Sequence, residues 1–107
     1  MSPQPRFALR FAPEVVVHLD SIDRKHHSLI QKTINAQLTF EPQIETRNRK
    51  LLEQPAPYDA TWELHFGPNN RFRVFYAVSE EEREVWILAI GVKEGNRLLI
   101  AGEEFRL

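Results

Sequence analysis

The stretch Thr61–Val78, TWELHFGPNNRFRVFYAV, alternates on both sides of a Gly-Pro-Asn-Asn turn. Trp62, Leu64 and Phe66 stand against Thr61, Glu63 and His65. After the turn, Phe72, Val74, Tyr76 and Val78 stand against Arg71, Arg73, Phe75 and Ala77. Period-2 alternation in aromatic and β-branched residues predicts two strands, each with one buried face. The even positions form that core face. The odd positions put two arginines and a histidine on the other. Directly opposite residues of an antiparallel pair share a face. Pairing Phe66 with Phe72 therefore sets Leu64 opposite Val74, Trp62 opposite Tyr76, His65 opposite Arg73 and Glu63 opposite Phe75. The loop must then span residues 67–71 or carry a bulge, because a four-residue loop would set core against solvent.

The rest of the chain is organised around this hairpin. RFALRF (6–11) alternates and predicts a first strand with Phe7, Leu9 and Phe11 on one face. Pro13 then suits the first turn of a helix, where a missing N–H costs nothing. From Glu14 to Phe40 the apolar positions Val15, Leu19, Ile22, Leu29, Ile30, Ile34 and Leu38 recur at helical spacing. The polar run Asp23–His27 divides the pattern into a short and a longer helix, an αα-hairpin. Val15-Val16-Val17 makes the apolar stripe wider than one packing face needs. Glu41-Pro42 ends the second helix. Residues 42–59 hold three of the 7 prolines and read as an ordered excursion with Leu51 and Leu52 turned inward. Val85–Ile90, VWILAI, is apolar on both faces and predicts a central strand. Leu98–Ala101 supplies an optional edge strand. The fold class is α+β, in the order βααβββ, with the helices on one face of a mostly antiparallel sheet. Residues 1–107 read as a single domain, the size of one small core.

Continuing the register into the next hairpin, Val78 opposite Trp86 gives Tyr76 opposite Leu88, Val74 opposite Ile90, Arg73 opposite Gly91 and Arg71 opposite Lys93. That register gathers Arg71, Arg73, His65 and Lys93 in one patch at one end of the sheet, with Gly91 leaving room above it. Guanidinium groups bind phosphate oxygens bidentately and stabilise charge that develops on them, so the patch suits a phosphodiester. Arg47, Arg49 and Lys50 form a second basic group before the hairpin. The net charge of −1 argues against non-specific nucleic-acid binding but leaves room for a local basic site. The chain has no cysteine, which excludes a disulfide framework and fits a cytoplasmic protein. No segment approaches the roughly 20 apolar residues that span a bilayer, and the N-terminus does not read as a signal peptide. His18, His26 and His27 lie at no metal-ligand spacing with a carboxylate, so neither a metal nor another cofactor is expected.

TRNRKLL (46–52), WEL (62–64), RFRVFYAV (71–78), ILAIGVKEGNRLLI (87–100) and GEE (102–104) occur in this order. In them the chain resembles the RelE/ParE superfamily of bacterial type II toxins, over nearly its whole length from Arg6 onward. The resemblance implies a cytoplasmic toxin neutralised by a cognate antitoxin, a small DNA-binding protein. For RelE-like members it implies metal-independent cleavage of mRNA on the ribosome, in which the 2′-OH of the substrate attacks the adjacent phosphate. Carried over by position, Arg73 is the strand arginine on the scissile phosphate. Lys50 and Arg49 orient the backbone or activate the 2′-OH, and Lys93 or His65 acts as the acid. Arg47, Arg71 and Arg97 contact RNA. The family's C-terminal tyrosine, which stacks on a base, falls at Leu99. Two alternatives come with the same resemblance: a ParE-like, non-catalytic inhibitor of DNA gyrase, and a decayed toxin fold kept as an antitoxin-binding module.

Overall fold

The computed structural model describes residues 6–106; the ends of the single-domain span, 1–5 and 107, lie outside the described residues. The alternating stretch forms the expected hairpin. Strand β3 (Trp62–Phe66) pairs antiparallel with β4 (Phe72–Ser79), in the register Trp62–Tyr76, Glu63–Phe75, Leu64–Val74, His65–Arg73 and Phe66–Phe72. The five-residue connection holds a 3-10 turn over Pro68–Asn70, entered through Gly67 at φ 83°. That glycine sits against the Phe72 ring, where a Cβ would come within 2.5 Å of Cδ2, so close approach and backbone sign both call for glycine there.

The described residues form seven strands and two helices. They are β1 (Ala8–Phe11), α1 (Val15–Asp20), α2 (His27–Leu38), β2 (Arg49–Leu51), β3, β4, β5 (Glu84–Glu94), β6 (Arg97–Ile100) and β7 (Glu103–Glu104). The sheet runs β2-β3-β4-β5-β6-β7, and β1 joins β5 in parallel. The break between the helices falls at Arg24–His26, a 3-10 turn in which Asp23 accepts from the Lys25 amide. His27 Nε2 then reaches the carbonyls of Leu19 and Ile22 at 2.9 and 2.8 Å, tying the start of α2 to the end of α1. Both carbonyls accept, so that nitrogen carries the proton.

One face of the sheet meets the helices. Val15, Ile22, Ile30, Ile34 and Leu38 pack on Trp62, Leu64, Phe66, Phe72, Val74, Tyr76, Val85, Ile87 and Ile90. Tyr76 is fully buried and donates from its hydroxyl to the Pro42 carbonyl at 2.7 Å. Burial pushes its pKa well up, so it remains a donor. Val16 and Val17 lie outside this packing, at 64% and 58% exposure. The other face has a smaller apolar cluster, Ala60, Phe75, Ala89 and Ile100, covered by Leu52, Leu98 and Phe105.

Two expectations are corrected. The β4–β5 register holds from Phe72–Val92 to Phe75–Ala89, then slips, so that Tyr76 faces Ile87, Ala77 faces Trp86 and Val78 faces Val85. Val78–Trp86 and Tyr76–Leu88 therefore do not pair. Because β5 is apolar on both faces, its pattern does not fix parity. A bulge there places Val85 and Ile87 in the core and turns Trp86 outward. Leu51 likewise points out, 57% exposed, at the end of edge strand β2. Leu52 alone packs inward, against the Phe75 cluster.

The edge of β5 away from β4 is shared by β1 at residues 84–87 and β6 at 91–94. Helix α1 closes the gap between them. There the Ile90 amide donates to Nδ1 of His18 at 3.2 Å, and His18 is 2% exposed. An accepting Nδ1 means a neutral ring protonated at Nε2. Burial lowers the His18 pKa, partly offset by the charge of Glu14. A folded-state pKa below the unfolded value gives stability that is full above the unfolded pKa and fades as pH falls toward the folded one. Urea unfolding between pH 7.5 and 5 should therefore show wild type losing stability faster than His18→Gln, which cannot protonate. Equal slopes would remove His18 from this role.

Candidate functional site

Alternation decides what reaches the open face. In β2, Lys50 points to it, opposite Glu63 of β3. In β4, Arg73 reaches it opposite His65 and Gly91. In β5, Lys93 reaches it beside Leu98 of β6. Lys50, Glu63, Arg73 and Lys93 thus come from four adjacent strands to line one groove of about 490 Å³, closed at one side by Glu104, Phe105 and Arg106. The Phe105 amide donates to the Leu98 carbonyl at 2.8 Å, which fixes that tail along β6.

The floor of the groove is a buried carboxylate. Glu63 is 5% exposed. Its Oε1 accepts from Arg73 Nη1 at 2.6 Å, and its Oε2 lies 3.6 Å from Lys50 Nζ. Arg73 Nε donates to the Asn70 carbonyl at 2.9 Å, so the guanidinium is gripped from two sides. A half-buried Arg fork held this way is pre-oriented, with its remaining N–H groups free for a planar anion. Four cations (Lys50, Arg73, Lys93, Arg106) line the groove against two carboxylates (Glu63, Glu104). The groove is electropositive although the chain is not.

The other residues singled out from sequence lie elsewhere. Arg49 alternates with Lys50 and so faces the helices. It is 7% exposed and donates from Nη1 to the carbonyls of Gln37 and Glu41 at the end of α2. His65 shares the open face with Arg73 but stays outside the groove. Its Nε2 donates to the Arg47 carbonyl at 2.9 Å, and its Nδ1 is buried without a partner. Arg47 is exposed beside it. Arg71 precedes β4 with αR backbone, so the strand alternation does not include it. Its guanidinium lies 5.3 Å over the Phe72 ring and lines a separate groove with Asp23, Lys25 and His26. Arg97 is exposed at the start of β6, while its neighbour Asn96 lines the groove. The space expected above Gly91 is taken by β6, because a Cβ there would stand 2.9 Å from the Leu99 carbonyl oxygen.

Sequence reasoning missed Glu63 and the tail. Glu63 had a readable signal: it sits on the same odd face as Arg73, one pair further along the hairpin. Phe105 and Arg106 had none, since only the turn after β6 brings them back to the sheet. Leu99 turns to the Arg71 groove, and Phe105 lines the basic groove together with Phe75, stacked on Tyr58 at 5.7 Å and 28°.

An N-terminal strand, an αα-hairpin and a mostly antiparallel sheet make up a RelE-like fold. Among solved structures, the chain superposes on a chain of the toxin–antitoxin complex RelBE2 from Mycobacterium tuberculosis, with a TM-score of 0.69. The match covers 87% of this chain and 98% of that one at 18% identity, a likeness of architecture. No family model and no curated protein matches the sequence.

Proposed function

We propose that this chain is the toxin of a type II toxin–antitoxin pair, and that it cleaves mRNA on the ribosome without a metal. The observation that carries this reading is the Arg73–Glu63–Lys50 cluster at the bottom of a basic groove on the open face of the sheet. In the proposed reaction the substrate 2′-hydroxyl gives up its proton to solvent as its oxygen forms a bond to the adjacent phosphorus, and the bond from phosphorus to the 5′-oxygen breaks. The ends are a 2′,3′-cyclic phosphate and a 5′-hydroxyl. Arg73 and Lys50 stabilise the charge that builds on the phosphorane oxygens. Lys93, at the other wall, protonates the leaving oxygen. Glu63 holds the two cations in place. His65 and Arg49 drop out of the chemistry, one locked on a backbone carbonyl and the other turned into the core. An antitoxin as partner is supported by the fold shared with a chain of a toxin–antitoxin complex.

Phe105 offers an apolar face beside these cations. Stacking a base on an aromatic contributes roughly 1–3 kcal/mol, so Phe105→Ala should slow cleavage about tenfold or more, with Phe105→Tyr near wild type. The test of the whole reading is 5′-end mapping of mRNA after incubation of translating ribosomes with the purified protein. Breaks at defined codon positions are expected, and Lys50→Ala should weaken them strongly, since Lys50 is half exposed and its loss leaves the fold intact. Absence of breaks together with blocked supercoiling by gyrase would replace this reading with the non-catalytic one. Absence of both would leave an antitoxin-binding module.

A further inference from the structure

A 3-10 turn over Pro57–Asp59 holds a bulky side chain on backbone it rarely adopts. Tyr58 lies at φ 56° and ψ 27°, and Asp59 follows at φ 57°. Left-handed backbone is a strained choice for an aromatic residue and persists only where its surroundings over-determine it. Hydrogen bonds do that here. The Asp59 amide donates to the Ala56 carbonyl at 3.1 Å, and the Ala60 amide to the Pro57 carbonyl at 3.0 Å. Gln54 Nε2 donates to the Ala60 carbonyl at 2.9 Å. Ala56 and Ala60, at the two ends of the turn, are buried.

The ring so placed joins the helix layer to the wall of the basic groove. Tyr58 meets His18 of α1 in a T-shaped contact at 5.4 Å and 72°, and stacks on Phe105. His18 is a fixed backstop, buried and bonded through Nδ1 to the Ile90 amide. Phe105 follows the last residue of β7, so strand alternation does not orient its ring. Tyr58 itself is 39% exposed and lies outside the groove lining, which includes its chain neighbour Pro57 and its stacking partner Phe105.

Resting on the cleavage reading above, we propose that Tyr58 is a positioning residue. It holds the Phe105 ring ready to stack on a nucleobase beside the cleaved phosphate, and does not itself touch RNA. An aromatic just past the last strand would otherwise be ordered as the base arrives, at a cost in side-chain freedom. Stacked in advance on a ring fixed by its own turn and by His18, Phe105 meets the base already oriented. The strained turn thus sets how strongly cleavage depends on the base at that position.

The test compares Tyr58→Gly and Tyr58→Phe with wild type, all as the full chain. Glycine adopts left-handed backbone freely, so Tyr58→Gly keeps the turn and removes only the ring. Tyr58→Phe keeps the ring. Cleavage is measured on ribosomes programmed with a short synthetic mRNA, either native or carrying an abasic nucleotide at each position beside the cleaved bond in turn. Wild type and Tyr58→Phe should slow about tenfold when one particular base is missing. Tyr58→Gly should be about tenfold slower on native mRNA and indifferent to the missing base. Hydrogen exchange of the free chain gives a readout without RNA. The Phe105 amide should exchange about tenfold faster in Tyr58→Gly than in the other two, with the β3–β4 ladder unchanged. Tyr58→Gly that cleaves like wild type, or that still responds to the abasic position, would overturn the proposal. So would an unchanged Phe105 amide, or a β3–β4 ladder that loosens along with it, which would make Tyr58 a residue of the fold at large. Wild type that does not cleave at all overturns the cleavage reading itself, whereas cleavage with an unaltered Tyr58→Gly overturns this proposal alone.

Discussion

Arg73→Ala should abolish the proposed RNA cleavage and also lower the stability of the domain by about 3 kcal/mol, because breaking a buried pair leaves its partner charge uncompensated. The catalytic loss follows from the groove geometry: removing a pre-oriented donor to a developing anion costs roughly 10²–10³ in rate. The stability loss follows from Glu63, whose carboxylate is 7% exposed and would keep only Lys50 at 3.6 Å. In a domain of this size 3 kcal/mol lowers Tm by about 15 °C, so inactivity of the single variant could be mistaken for unfolding. Glu63→Gln resolves this. The double variant Glu63→Gln/Arg73→Ala buries no lone charge and should recover most of the lost stability while remaining inactive. Thermal denaturation of the four proteins gives the coupling energy, and cleavage measured well below the lowest Tm gives the activity. A double variant as unstable as Arg73→Ala would mean that the Glu63 pair is not what holds this end of the sheet. Cleavage surviving in Arg73→Ala would remove Arg73 from the chemistry.

The same cluster shows which parts of the molecule were legible in the sequence. The β3–β4 register was readable because the even positions of both strands are apolar, so one pairing sets Trp62, Leu64, Phe66, Phe72, Val74 and Tyr76 on one face; Arg73 then reaches the open face by parity. The β4–β5 register was only half readable, because VWILAI satisfies either parity and a bulge decides between them. Arg71 was assigned to the patch by extending the strand one residue too far, into backbone that is helical. Arg49 and Lys50 looked equivalent as a basic run, yet adjacent strand residues must face opposite ways, and a three-residue strand gives too little pattern to say which way. The wall formed by Phe105 and Arg106 depends on a turn through Ala101 and Gly102, both at positive φ, whose direction no local periodicity encodes. The same holds for His18, whose place in the gap of the β5 edge exists only once β1 and β6 have both docked.

Arg49→Ala should be the counterpart of Arg73→Ala: a large loss of stability, about 3 kcal/mol, with the rate of cleavage per folded molecule unchanged. Helix α2 ends at Leu38 without a glycine cap, and Thr39 and Phe40 lead on to Glu41-Pro42. The carbonyls left open at that end would be buried without donors. Arg49 supplies them: Nη1 serves Gln37 and Glu41, and its positive charge lies where the helix dipole is negative. Removing it takes the side-chain donor from the Gln37 carbonyl, leaves the Glu41 carbonyl only the Ile44 amide at 3.4 Å, and vacates space near Tyr76, whose hydroxyl is committed to Pro42. Arg49→Lys should recover about half, since one ammonium can replace the charge but not the planar fork. Arg49→Met should recover the packing alone and stay close to Ala in stability. The readouts are urea unfolding for stability and codon-specific cleavage normalised to folded protein for activity. A variant at Arg49 that folds as wild type and fails to cleave would place this guanidinium on RNA, on the side of the sheet where the structure has α2.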